Sequence, residues 1–342
     1  MLTGYQRNKH EKIYRYLFNV TPQRRLGRIP LSSREFVCSI KKSINKRSKF
    51  FSSNRMRAVL MQHFRLGVTQ YKNRQHFEAG QTFLQAAEMG DPWAMNVLGD
   101  KYIYAFNPCR FLGWPCDDKW NDKAFRVWKK QADEGNGNAI LALRITQSYF
   151  WELIPFYRSY NSEKIFFDAF QKGSNHAILK MGGWVSDDKY TYYLKLAANQ
   201  GYAPAMVSLY YTQLYDGDVE GALKWINQAI QLGYPTAARV LFLAYDLGKE
   251  DKLGDKVIRS NPQKAYYYNK LSGALGGEEE TSSIVSTRLI KDGLPVSDEN
   301  GEPVFEILVT EQEQADMDKQ VAEFVKDIKP NLFLDETSIN LF

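Results

Sequence analysis

Five glycines, Gly90, Gly135, Gly173, Gly201 and Gly233, are each followed at the fourth position by an alanine: Ala94, Ala139, Ala177, Ala205 and Ala237. At the eighth position stand Leu98, Leu143, Met181, Leu209 and Leu241. Three residues before each glycine are Ala87, Ala132, Phe170, Ala198 and Ile230; seven before are Phe83, Trp128, Phe166, Leu194 and Ile226. A weaker sixth unit centres on Gly276, with Ala265 at −11 and Ile284 at +8 but Glu280 in the alanine's place. The intervals between these glycines are 45, 38, 28, 32 and 43 residues, in or near the range of helical-hairpin repeats.

These offsets leave few folds open. Positions −11, −7, −4 and −3 share one face of a helix, and +4 and +8 share a face of a second. Glycine between them ends the first helix, because it takes the left-handed conformation without steric cost. Alanine at the helix crossing lets the two backbones approach, and the larger residues at −7 and +8 fill the space between neighbouring hairpins. A single hairpin cannot bury its own apolar face, so the units must stack.

The stretches that carry this frame are "AGQTFLQAAEMGDPWAMNVLGDKY" (79–102), "DKAFRVWKKQADEGNGNAILAL" (122–143), "DVEGALKWINQAIQLGYPTAARVLFLAY" (218–245) and "NPQKAYYYNKLSGALG" (261–276). They resemble the Sel1-like repeat family, a relative of the tetratricopeptide repeat. The resemblance covers about residues 66–290. It implies an all-α fold, a right-handed α-solenoid of about five to six helical hairpins with a C-terminal capping helix. Two departures predict irregular stacking: Phe170 stands where the third unit should have its second alanine, and a long loop, "AFNPCRFLGWPCDDKW", separates units one and two.

The expected organisation is a basic arm over 1–57, the solenoid over 58–290, a loop or β-hairpin over 291–309, a capping helix over 310–330 and a frayed tail over 331–342. The arm holds 15 of the 45 Lys and Arg against two acids, Glu11 and Glu35, so the remainder of the chain is mildly acidic. Three readings of it stay open: a disordered tail, a targeting or binding arm, and a mis-called start with translation from Met56 or Met61. In the 291–309 region Asn300-Gly301 is a hairpin turn signal, weakened by Pro295 and Pro303. Thr310 with Glu313 forms a capping box ahead of the apolar positions Val321, Phe324, Val325 and Ile328.

No catalytic signature stands out. The four histidines, His10, His63, His76 and His176, lie far apart, none with a ligand partner at metal-binding spacing. Glu278, Glu279 and Glu280 read as a solvated helix start. Cys109 and Cys116 could bridge in an oxidising compartment, but reduced thiols in a cytoplasm are the expectation, since the chain shows no export signal and no apolar run long enough to cross a bilayer. No cofactor and no metal is expected.

What remains is binding. The resemblance implies a non-enzymatic protein–protein interaction module of bacterial type, an adaptor, regulator or assembly scaffold whose groove takes a protein partner. Alternatives are an immunity-type protein that neutralises a secreted toxin and, from another class, binding of nucleic acid or an anionic surface through the arm. Nucleic acid is not the expected partner. The candidate contact residues are Phe111 and Trp114 in the long loop, with Tyr192 and Tyr267 on the array, because rigid aromatic side chains dominate interface hot spots.

Overall fold

The computed structural model describes residues 62–99, 108–113, 116–280 and 284–337. The basic arm, His10 and Trp114 lie outside them. The described chain is a run of helices with a few short strands near its C-terminal end. Helix α1 (62–72) leads into unit one, α2 (His76–Glu88) and α3 (Pro92–Leu98). Unit two is α4 (Asp118–Asp133) and α5 (Gly137–Thr146); unit three is α6 (Pro155–Gln171) and α7 (His176–Leu179). Unit four is α8 (Asp187–Asn199) and α9 (Ala203–Tyr215), and unit five is α10 (Val219–Gln231) and α11 (Pro235–Leu247).

Each of the five glycines is left-handed, with φ between 77° and 101°. Each also closes a paired hydrogen-bond motif at the end of the first helix. In unit four the Gly201 N–H donates to the Ala198 carbonyl (2.9 Å) and the Tyr202 N–H to Ala197 (3.1 Å); the other units repeat the pattern. This is the geometry in which glycine satisfies the orphan carbonyls of a helix end. Four residues on, Ala94, Ala139, Ala177, Ala205 and Ala237 are all buried to within 1%. The large residues at −7, Phe83, Trp128, Phe166, Leu194 and Ile226, are buried with them.

The core is continuous along the array. One cluster joins α1 with units one and two, and a second joins units three to five with α12 (Pro262–Ala274). Leu141 belongs to the second cluster while Ala139 and Ala142 belong to the first, so α5 is shared between them. A third, smaller cluster packs Phe242, Ala265 and Tyr266 against Ile284 and Val309.

Both expected irregularities are present. The second helix of unit three is a single turn, and the connection from α3 to α4 contains a 3-10 turn over Pro108–Phe111. The sixth unit is half a unit. Gly276 is left-handed (φ 82°) at the end of α12, but the described residues just after it form no second helix. The helix that packs on α12 is the later one over Glu311–Val325, where Asp318 accepts from the Tyr266 hydroxyl at 3.0 Å. Glu280 explains this, because a charged side chain cannot enter a helix crossing.

The expected helix start at the acidic run is therefore wrong. Glu278 and Glu280 instead pair with Arg239 at 3.3 and 3.0 Å, and Lys270 pairs with Glu279 at 2.6 Å. Asn269 clamps the Glu280 backbone from both sides, donating to its carbonyl (2.7 Å) and accepting from its N–H (2.9 Å). Ile284, at +8, is still buried.

Beyond it the chain forms short antiparallel ladders rather than a bare loop. In one, β3 (Ser286–Arg288) pairs with β6 (Phe305–Ile307); in another, β4 (Ile290–Lys291) pairs with β5 (Leu294–Pro295). An earlier pair, β1 (Lys249–Glu250) with β2 (Lys256–Ile258), fills the long interval between α11 and α12. The tight turn of the β4–β5 hairpin is at Asp292-Gly293, both left-handed, while Asn300-Gly301 closes the wider connection with Asp298 as acceptor. The capping box of Thr310 and Glu313 opens α13 (Glu311–Val325) as expected, and the helix ends at Val325. Val321 is buried; Val325 and Ile328 pack against the main core.

Candidate functional site

The hairpin turns of the five units share one construction, so the residues just after each glycine form a row. In unit one Asp91 caps α3, its carboxylate accepting the Trp93 and Ala94 N–H groups at 2.8 and 2.9 Å. Asn136 does the same for α5, accepting from Ala139 at 3.0 Å. Units four and five place Tyr202 and Tyr234 at the same step, ahead of helices with proline in their first turn.

Residues 329–337 lie along this row. The Asn331 N–H donates to the Gly233 carbonyl at 2.9 Å. The Lys329 carbonyl passes so close over Gly233 that any Cβ there would collide with it. The Phe333 ring sits between Tyr234 (5.5 Å between centroids, edge-on) and Tyr202 (6.1 Å, edge-on). From α1, Arg65 Nη2 donates to the Leu334 carbonyl at 2.6 Å, and from unit two Asn138 Nδ2 donates to Glu336 Oε1 at 3.0 Å. Thr337 is buried and donates through both N–H and hydroxyl to Asp335. The expected fraying of the tail is thus wrong over 331–337, which touch α1 and units two, four and five; 338–342 lie outside the described residues.

The charges along the row are perturbed by burial. Burial pushes the Asp91 carboxyl up to about 7, against the pull of its two capping hydrogen bonds, and the Glu336 charge adds to the rise. Burial raises Glu336 as well, opposed by the Asn138 hydrogen bond. In unit three, burial pulls His176 down to about 4; Lys180 adds to the fall and Asp335 opposes it. Burial also lowers Lys180. The signs oppose one another. Raised carboxyls bind protons more tightly in the folded state, so they favour folding as pH falls. Lowered His176 loses stability as pH falls from 6.5 towards 4.

The aromatic residues singled out in the sequence do not meet at one place. Phe111 is 52% exposed on the 3-10 turn, with its ring edge towards His76. Tyr192 is exposed on α8 and packs edge-on against Tyr193, whose hydroxyl donates to Glu163 at 2.7 Å. Tyr267 is half-buried on α12 against Tyr268, which in turn stacks on Tyr245 (5.7 Å, 6° between planes). The loop that carries Phe111 is closed by a Cys109–Cys116 disulfide, with Cα atoms 5.7 Å apart. That corrects the expectation of reduced thiols. A bridge of this kind persists in oxidising surroundings, the one setting in which the pair is expected to close.

Two features escaped the sequence reading. Arg144, on a repeat helix, is buried between units two and three. It pairs with Glu152 (3.0 Å), donates to Ser162 (3.0 Å) and lies over the rings of Trp151, Phe166 and Trp184 at 4.8–5.6 Å. The same junction exposes Phe150, Leu153 and Phe156, the last at 93%. The aromatic density of "SYFWELIPFY" was the available signal for both. Among the described residues no three of His, Cys, Asp or Glu are grouped so as to hold a metal ion, and no helix is long and apolar enough to cross a membrane.

No family model and no curated protein matches the chain. Among solved structures it is similar to a Sel1 repeat protein from Oxalobacter formigenes, at 19% identity and a TM-score of 0.34, over 63% of this chain and 87% of that one. It is also similar to a protective antigen of uropathogenic Escherichia coli that displays an SLR fold, at 15% identity and a TM-score of 0.35. That match covers 72% of this chain and 49% of the antigen. Five left-handed glycines, each followed at the fourth position by a buried alanine, give the described chain its repeat. The array resembles Sel1-like repeats in that frame. Along it, the row of hairpin turns is the surface on which polypeptide already rests.

Proposed function

We propose that the protein is a non-enzymatic protein-interaction module, an adaptor or assembly scaffold, and that it binds polypeptide along the row of hairpin turns. One observation supports this reading above the others: residues 329–337 are held by the Gly233 carbonyl, an aromatic slot from units four and five, and polar side chains from α1 and unit two. A surface that reads main-chain groups and one ring is suited to extended segments. Successive repeats lengthen such a surface without any new chemistry.

The test is a pair of affinity purifications from the protein's own host. One uses the full chain and the other a Tyr202→Ala/Tyr234→Ala variant, which empties the slot. A partner held by the first and lost by the second, with equal helical content and melting, supports the reading. Equal recovery from both places binding off the row and overturns it.

A further inference from the structure

We propose that the row of hairpin turns is a track for an extended acidic–aromatic segment of a partner protein, and that the chain's own residues 329–337 are its resident competitor. The inference rests on the polypeptide-binding reading above and adds the chemistry of the occupant. In the pattern Phe-x-Asp-Glu, Phe333 fills the slot between Tyr202 and Tyr234, Glu336 accepts from Asn138, and Asp335 lies close enough for its charge to act on His176. Arg65 reads the main chain between them at the Leu334 carbonyl.

The resident segment is built like a ligand rather than like a core element. It has no regular secondary structure, and its two leucines, Leu332 and Leu334, are exposed at 46% and 42%. Its recorded anchors are few and separate: a backbone hydrogen bond at Gly233, a ring in a slot, side-chain contacts from Arg65 and Asn138, and a buried Thr337. Phe333 is left-handed (φ 51°), held there by an Asx turn in which the Asn331 side-chain oxygen accepts the Phe333 N–H at 2.9 Å. Such a conformation is costly for an aromatic residue and persists only where its surroundings impose it. A trans segment without the Asx turn need not carry that strain, which offsets part of the entropy it loses on binding.

Tethering explains why the resident wins in the isolated chain. A segment linked to its site acts at an effective concentration in the millimolar range, so a free peptide of equal affinity is excluded until the tether's hold is weakened.

The experiment uses the full chain, wild type and Phe333→Ala, with a fluorescein-labelled peptide of residues 328–337 as the probe and anisotropy as the readout. The expected result is binding to the Phe333→Ala chain at least ~10-fold tighter than to wild type, and loss of that binding when the peptide itself carries Phe333→Ala. Three results overturn the inference. The Phe333→Ala chain keeps its helical spectrum and melting yet ignores the peptide; it binds both peptides alike; or it loses its helical spectrum, which makes the segment part of the core. If the peptide fails while the slot variant still loses its host partner, this inference falls and the interaction reading stands.

Discussion

In unit five, Gly233 is followed by a helix of 13 residues, Pro235–Leu247; in unit three, Gly173 is followed by a single turn, His176–Leu179, and then by turns as far as Asp187. Both units nonetheless bury the same positions. Ala177 and Met181 have no exposed surface, and neither have Ala237 and Leu241. Part of the difference lies in chain length between units. From Gly201 to the next first helix at Val219 the chain has four more residues than from Gly173 to Asp187, about one helical turn. The second helix of unit three has 4 residues against 13 in unit four, a loss larger than this shortage; the remainder goes into the turns over 180–186, while the glycine turn and the buried positions stay fixed. Surplus length is treated in the same way: the long intervals after units one and five go into the 3-10 turn and the β1–β2 pair. The repeat therefore encodes burial relative to glycine, and helix length is what gives.

The largest effect that can break this comparison is a cavity at +8. Leu241→Ala and Met181→Ala should each destabilise the protein by about 2–5 kcal/mol in urea unfolding followed by circular dichroism. Similar losses mean that unit three is framed like unit five despite its missing helix. A Met181→Ala loss below about 1 kcal/mol would show that its short second segment is not part of the packed array.

Next comes overpacking at +4. Ala237→Leu forces apart two full helices and should cost about 1–3 kcal/mol. Ala177→Leu meets a one-turn helix that can yield, so its cost should be the smaller of the two in the same assay. The reverse order would mean that the single turn of unit three is more tightly held than the full helix of unit five.

The parts of the molecule that could be read in advance are those that follow the period. The frame, the glycine turns, the two irregular junctions and the Thr310–Glu313 capping box all rest on local spacing, and all are present. Residues 331–337 have no period to read. They are held by Gly233, Tyr202, Asn138 and Arg65, up to 269 positions away in sequence, with the Gly233 and Leu334 carbonyls among the contacts, and main-chain groups carry no sequence signal. Arg144 was hidden for another reason. Charge on a repeat helix ordinarily faces solvent, and only the fold brings Glu152, Ser162 and three aromatic rings around this one. The Glu278–Glu280 run misled because its partners, Arg239 and Lys270, lie on neighbouring helices. Of the candidate contact residues, the sequence pointed to exposed or half-exposed aromatics but not to the slot made by Tyr202 and Tyr234, which carry no mark beyond following a glycine.

The smallest effect separates the two units through their glycines. At Gly173 (φ 95°) an added Cβ meets nothing within 4 Å, so Gly173→Ala should cost only the strain of a left-handed alanine, about 1–2 kcal/mol. At Gly233 (φ 77°) the same strain applies, but the new Cβ also meets the Lys329 carbonyl and Pro330. The segment over unit five must then lift away. Its leucines are nearly half exposed and Phe333 is its main apolar anchor, so the added loss should be modest and the two variants should melt within several degrees of each other. They should differ in amide hydrogen exchange. The Asn331 N–H, bonded to the Gly233 carbonyl at 2.9 Å, should lose protection in Gly233→Ala and keep it in Gly173→Ala. Unchanged protection of Asn331 in Gly233→Ala would mean that the segment does not rest on unit five. A loss in both variants would mean that its cover depends on the whole array rather than on local seats, and the contrast between the two units would then stop at the core.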